Sequence, residues 1–388
     1  MPEERKAREH ARRAFSSVKT LLLVAALIAA PALGTAETPE QLKAEAYKLA
    51  REHLARMPEG YHARIDVDRR LVYVSALDEA HLKETMVLLA VYTDAQRKVL
   101  LSEPLAWNVT VLLPEEAEYR KLAPDLKTTG FYRYADHTLI SIDRGRVLLH
   151  EFTHALHHAD AAAAGQTHPI WICEGIATLF ESASVVSGEL SLSTDSRLIH
   201  LQRALRLKTL VPLEKLMKME TKAFVEQADL CYAQSRYLLY YLHENGLLRK
   251  WYAAYKAGFD KDPTGRAALE KVCGKHISAI EEDWREWAGE LKLPWGELRR
   301  GQARLGIEMQ DHNRGVKVVR LLPGGAALKG GRLRKGDIIR AFNGTDVSSA
   351  AELINAIRAS GAHQTVKIDL YRNGRELTVL QPLGAAGG

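Results

Sequence analysis

Cysteine is scarce in this chain: three in 388 residues, at Cys173, Cys231 and Cys273. That is too few for a disulfide framework and excludes a small domain stapled by bridges. An oxidising compartment would permit one Cys173–Cys231 bridge, and three small buried thiols are the other reading. A long apolar run is also missing. The stretch from Leu21 to about Leu33 falls short of the ~20 residues a bilayer span needs. There is little excess charge of either sign. Residues 1–36 carry six basic and three acidic side chains; the rest sets 48 Lys and Arg against 45 Asp and Glu. So even a balance gives no case for nucleic acid as a partner. With 46% hydrophobic residues the composition is that of a globular protein, and 388 residues allow two or three domains.

The first residues stand apart. Arg5, Lys6, Arg8, Arg12, Arg13 and Lys19 precede the apolar run, and Gly34-Thr35-Ala36 follow it. This is the layout of a secretory signal peptide, residues 1–36, cleaved after Ala36 or Gly34. The expected address is exported, periplasmic or secreted, with no stable membrane insertion after cleavage. An uncleaved N-terminal membrane anchor is the alternative. No cysteine stands near the cleavage site to carry a lipid.

A helix over Pro39 to Arg56 comes next, then alternating strands at Tyr61–Val67 and Leu71–Val74, and a long helix from Asp78 to Ser102. Further strands follow at Trp107–Leu113, Gly130–Tyr134 and Thr138–Ile142. Residues 37–143 therefore read as an α+β lobe, a small mixed sheet backed by helices. Residues 144–186 read as two helices and 187–300 as a mostly helical lobe, broken at Asp262-Pro263-Thr264-Gly265.

The stretch Leu148-Leu149-His150-Glu151-Phe152-Thr153-His154-Ala155-Leu156 carries the chemistry. Leu148, Phe152, Ala155 and Ala159 recur at helical spacing and form a buried stripe. His150 and His154 lie four apart on another side, one turn above the other, where two imidazoles can grip one metal ion. Glu151 sits at the edge of that face, placed to take a proton from water without being a ligand. This is the H-E-x-x-H arrangement of zinc hydrolases, which needs a third ligand and a position left open for water. His157 is seven residues past His150, roughly 10 Å along the axis at about 1.5 Å per residue, too far to close the site. Asp160 would serve in a metzincin, but that pattern requires glycine where this chain has His157. Glu174 fits best. Pro169 can open a helix reaching about Ser184 on which Trp171, Glu174, Thr178 and Glu181 share a face, and Gly175 would let two helices approach closely.

H-E-F-T-H followed by W-I-C-E-G-I-A-T-L-F-E, with its Glu twenty residues after the second His, resembles the gluzincin group of metallopeptidases, in its peptidase-MA-like branch. The resemblance implies Zn2+ on His150, His154 and Glu174, with Glu151 as general base and later proton donor. It also implies that an edge strand, 130–134 or 138–142, pairs with extended substrate. Leu230-Cys231-Tyr232-Ala233-Gln234-Ser235 resembles a segment of the same branch in which a tyrosine faces the metal, so Tyr232 would hydrogen-bond the oxyanion. One position departs from the pattern: Thr178 stands where thermolysin-like enzymes place an Asp. Glu181 or Asp160 would then have to orient a zinc histidine.

From Arg304 the character changes. Leu305-Gly306-Ile307-Glu308-Met309, Pro323-Gly324-Gly325, Asn343-Gly344 and a strand pair around Asn373-Gly374 occur in order. The run resembles a PDZ domain of the kind attached to bacterial high-temperature-requirement proteases, and the domain is placed at residues 301–384. The resemblance implies a groove between the strand starting at Leu305 and the helix Ala350 to Ala359. Backbone N–H groups of Leu305, Gly306 and Ile307 would hold a terminal carboxylate there. Residues 301–388 hold 13 basic and 7 acidic side chains, a balance suited to carboxylate-bearing peptides.

The expectation is an exported zinc metallopeptidase, α+β in fold, with a small β-rich PDZ domain after its catalytic domain. It would cleave peptide or protein substrates internally and bind protein C-termini. Two alternatives stand beside it: a catalytically inactive PDZ-bearing adaptor with a structural metal, and a metzincin-like hydrolase using Asp160.

Overall fold

The computed structural model describes residues 38–124, 126, 128–186, 188–293, 301–312, 314–347 and 350–386. The expected signal peptide, residues 1–36, lies outside them. Contacts divide the chain into two units. The first comprises the described residues up to Ser141 with Leu149–Leu291; the second comprises Ile142–Leu148 with the described residues from Lys292 onward. The fold is mixed helix and sheet with a β-rich C-terminal domain, as the patterning predicts.

The first unit opens with α1 (Pro39–Leu54). Its start is set by Thr38, whose hydroxyl accepts from Gln41 N–H while the Gln41 side chain accepts from Thr38 N–H, a reciprocal capping box. Strands β1 (His62–Asp66) and β2 (Leu71–Ser75) pair antiparallel. Then α2 (Glu79–Val99), capped by Asp78, crosses over to β3 (Val109–Leu113), which lies parallel to β2. After α3 (Glu116–Leu122) come β4 (Gly130–Arg133) and β5 (Thr138–Ser141). The sheet order is β1-β2-β3-β5-β4, which leaves β4 on the edge. β2 and β3 are buried on both faces, as a sheet with a parallel core and helical cover demands.

The helix α4 (Arg146–Ala163) carries the H-E-x-x-H stretch. Asp143 begins it by accepting from Gly145 N–H at 2.7 Å and Val147 N–H at 3.3 Å. Phe152, Ala155 and Ala159 are fully buried, and Thr153 is fixed to α2 by Gln96 at 3.1 Å. Next, α5 (Ile170–Phe180) is shorter than the expected reach to Ser184. It stops because the buried guanidinium of Arg236 takes the carbonyls of Thr178 and Leu179, satisfying its last turn. A hairpin of β6 (Ser184–Val186) and β7 (Glu189–Ser191) follows. The helical lobe then runs α6 (Arg197–Leu207), α7 (Leu213–Met217), α8 (Thr221–Glu226), α9 (Ala228–Glu244), α10 (Leu248–Gly258), α11 (Arg266–Cys273) and α12 (Ile277–Glu290).

The close approach that Gly175 permits beside Glu174 is between α5 and α9. A β-carbon there would lie 2.9 Å from Leu239 Cδ1 and 3.3 Å from both the Ser235 β-carbon and carbonyl oxygen. The three cysteines are free thiols, and the permitted Cys173–Cys231 bridge does not form. Cys231 meets Met219 sulfur at 3.8 Å, and Cys173 donates to the His168 carbonyl.

The second unit is built on β9 (Ile307–His312), β10 (Gly315–Leu321), β11 (Ile338–Phe342), β13 (Thr365–Arg372) and β14 (Arg375–Pro382), in the order β14-β13-β11-β10-β9. Short β8 (Ala303–Arg304) pairs with β15 (Gly384–Ala385), and β12 (Thr345–Asp346) pairs with β11. Two helices, α13 (Ala326–Gly330) and α14 (Ala350–Ala359), complete it. Leu305, Val316, Val318, Ile339, Leu353 and Ile368 share its core. Asn343-Gly344 and Asn373-Gly374 all have positive φ, the two-residue turn whose twist matches the strands it joins.

The tight α5–α9 approach yields a first prediction. Gly175→Val should lower unfolding free energy by about 1–3 kcal/mol through overpacking; an unchanged denaturant midpoint would count against the close contact.

Candidate functional site

α4 and α5 bring three side chains of the first unit together. His150 Nε2 and His154 Nε2 are 3.1 Å apart, and Glu174 Oε2 lies 3.2 Å from the first and 3.5 Å from the second. These ligand-type atoms form the one such group among the described residues that could hold a metal ion. The triangle has the right size. Ligands at about 2.0–2.1 Å on a tetrahedral ion are separated by roughly 3.3 Å. Glu174 is 1% exposed, and its Oε2 has no hydrogen-bond partner among the described residues. A buried carboxylate oxygen facing two imidazole nitrogens fits a cation, since an unsatisfied buried charge is otherwise costly.

A second layer orients the first. His150 Nδ1 donates to Glu181 Oε2 at 2.6 Å, which leaves the lone pair on Nε2 turned toward Glu174. Glu181, seven residues past Glu174, is therefore the partner of the histidine. Asp160 is not. Its carboxylate accepts from Tyr252 Oη at 2.7 Å, Lys256 Nζ at 2.9 Å and Glu103 N–H at 3.2 Å. This corrects the metzincin alternative: α4 continues through Ala163 and turns Asp160 into a separate buried network. His157 likewise points away, pairing with His168 Nδ1 at 2.8 Å.

Glu151 sits beside the triangle and beside the open edge of the sheet. Tyr132 N–H, on β4, donates to its Oε2 at 2.9 Å. Of the two strands considered for a substrate-pairing edge, β4 is the one at the edge, and its outward amide faces Glu151. Burial raises the Glu151 pKa, with His150 and His154 opposing. For Glu174 burial acts upward as well, but His154 and His150 outweigh it and hold the carboxyl well below its ordinary range. Burial pushes the Cys173 thiol up to about 12, with Glu174 adding to it, so this neighbour of Glu174 stays protonated.

Tyr232, on α9, places its ring 6.4 Å from that of His150. Burial, then Glu174 and Glu151, raise its pKa well above the ordinary value, which keeps the phenol a donor. Sequence reasoning missed Tyr134, whose ring lies 6.4 Å from His154 on the opposite flank. Its place just past the edge strand was the signal available. It also missed Arg197, which pairs with Glu181, because that residue comes from the start of α6.

In the second unit Leu305, Gly306 and Ile307 lead into β9, the edge strand. The Leu305 and Gly306 carbonyls accept from Ala327 and Leu322 N–H, both at 2.9 Å. Leu305 and Ile307 are both buried. Gly306 has φ +77°, and a β-carbon on it would lie 2.6 Å from Gly325 Cα.

Residues 303–380 match the family described as PDZ domain. The chain is 38% identical over 65 residues to the putative serine protease HhoA of Synechocystis, covering 17% of this chain and 16% of that protein. It is 33% identical over 111 residues to the periplasmic pH-dependent serine endoprotease DegQ of Escherichia coli, covering 26% and 24%. Among solved structures, the HtrA3 PDZ domain bound to a phage-derived ligand is 22% identical with TM-score 0.19, covering 21% of this chain and 89% of that one. The chain thus spans about a sixth to a quarter of the curated relatives it matches. These relatives correct the expectation of a gluzincin zinc metallopeptidase with a Zn2+ cofactor, because they are named serine proteases. The PDZ match itself lies outside the His150–Glu174 cluster.

The cluster's surroundings predict acid sensitivity. Burial lowers His137, His158 and His168 to about 4. Unfolded imidazoles take protons near pH 6.5, so the unfolded state binds more protons between about pH 6.5 and 4. Stability should therefore be lost as pH falls through that window. Denaturant titrations from pH 7 to 4 should show this, with a shallower slope in a His137→Asn/His158→Asn variant; equal slopes would refute it.

Proposed function

We propose that this chain is an exported PDZ-bearing protease whose hydrolytic centre is the cluster of His150, Glu151, His154 and Glu174, with Tyr232 at its rim. The observation that carries this is one juxtaposition: a cation-sized triangle of ligand atoms beside a partly buried carboxylate that touches the open edge of a sheet. His150, His154 and Glu174 would hold a divalent cation, which when bound polarises a carbonyl and lowers the pKa of water. Glu151 takes the proton of the attacking water and returns it to the leaving amine. Tyr232 donates to the developing oxyanion, a contribution on the order of 3 kcal/mol for one such donor. β4 aligns an extended peptide by its backbone, the mode an unpaired strand edge offers. Internal cleavage, and a periplasmic address like that in the name of DegQ, complete the reading.

The names of the relatives favour a second reading, with serine as nucleophile. Among the described residues Ser278 Oγ meets His276 Nδ1 at 2.9 Å, but the pair is exposed and the same nitrogen accepts Ser278 N–H to cap α12. One experiment separates the two. Glu151→Gln should cut the cleavage of an unfolded protein substrate by about 10²–10⁴-fold, the span of general-base effects. A fluorophosphonate should leave the wild-type rate unchanged. Inhibition by the fluorophosphonate with full activity in Glu151→Gln establishes the serine reading, and no cleavage by the wild-type chain establishes an adaptor.

The PDZ module binds peptide C-termini at the edge of β9, beside α14, and presents protein substrates or holds the enzyme in check. A labelled peptide with a free carboxylate should bind, and its amidated form should not. Gly306→Ala forces a side chain into the left-handed region at roughly 1–2 kcal/mol, and should weaken binding roughly tenfold or more. Equal anisotropy curves for free and amidated peptides would rule out carboxylate capture.

A further inference from the structure

We propose that Arg197 is a positioning residue for the cation site: its guanidinium holds Glu181 against His150 and so sets how tightly the cluster binds a divalent cation. The proposal rests on reading the cluster as a cation site. Glu181 uses one oxygen for His150 Nδ1 and the other for Arg197 Nη1, and its side chain is 4% exposed. Glu181 also caps the C-terminal end of α5, where the carbonyl ends of the helix make a carboxylate unfavourable. A cation is needed there, and two arginines supply it.

Arg197 does not stand free. Its N–H donates to Asp195 Oδ1 at 3.0 Å, and its Nη1 lies 3.5 Å from Asp195 Oδ2. Asp195 is held in turn by Arg236 Nε at 3.3 Å and the Tyr237 hydroxyl at 3.2 Å. Arg236 has no exposed side-chain surface and donates onward to the Thr178, Leu179 and Ser193 carbonyls. A closed circuit results. α5 carries Glu174 and is capped by Glu181, α9 carries Arg236 and Tyr237, and Arg197 joins the two through Asp195. Its consequence for the site is orientational: with Glu181 clamped, the His150 ring is fixed with Nε2 facing Glu174 and His154. Loss of partners at this remove typically costs 10–100-fold in metal affinity.

The test uses the full chain and Co2+ as probe, with dissociation constants measured at pH 7 by visible absorption against a competing chelator. Circular dichroism and thermal midpoints are recorded alongside. Arg197→Met should bind Co2+ about 10–100-fold more weakly than wild type. Arg285→Met, which removes a surface pair with Glu281 instead, should bind as wild type does. Arg197→Lys keeps the charge without the planar fork and should fall between. Wild-type affinity in a folded Arg197→Met overturns the proposal and leaves the cluster reading intact, whereas no Co2+ binding by the wild-type chain overturns both. Should Arg197→Met fail to fold, Arg197→Lys decides: wild-type affinity overturns the proposal, and weakening of about threefold or more upholds it.

Discussion

The site depends on how closely α5 can lie against α9. Gly175 removes the side chain that would otherwise meet Ser235 and Leu239, so the helices pack closely at that point. That contact does more than fill a core. Glu174 precedes the glycine and Glu181 caps the helix it belongs to, while α9 supplies Tyr232 one turn before Arg236. Were the helices further apart, the phenol would leave the rim of the cluster and Arg236 would lose the carbonyls that end α5. Packing density and site geometry are thus one constraint.

Around that contact the first unit arranges its charges in sequence. Three carboxylates surround His150 and His154, each with a different neighbour. Glu174 faces the two imidazoles, Glu181 is neutralised by Arg197, and Glu151 is held by a backbone amide of the edge strand. The same residue type is therefore held in three different ways, and the surroundings decide which. Asp160, on the same helix as the histidines, has been taken by Tyr252 and Lys256 and joins none of these roles.

The second unit solves another problem by similar means. Gly306 and Gly325 each occupy the space the other's side chain would need, so the loop entering β9 can press against the start of α13 with its carbonyls bonded. What remains for a ligand is the edge of β9. Deeper in the domain, Asp337 is 1% exposed and takes two hydrogen bonds from Arg372 at 2.7 Å, which ties the preceding loop to β13. Residues 303–380 of this unit are the ones that match the PDZ domain family.

By itself the sequence determined what depends on neighbours along the chain. His150 and His154 share a helix face because they are four residues apart, the Asn-Gly turns follow from backbone chemistry, and the alternation in β13 marks its buried side. Glu174 was legible for a related reason: an acidic residue among Trp, Ile, Cys and Gly has no solvent to face. Only the tertiary structure decided which helix Gly175 meets, which strand is the edge, and that Glu181 rather than Asp160 orients His150. It alone brought Arg197 and Tyr134 to the cluster. Those choices depend on contacts between segments far apart in the chain, and no local periodicity encodes which distant surface a given face will find.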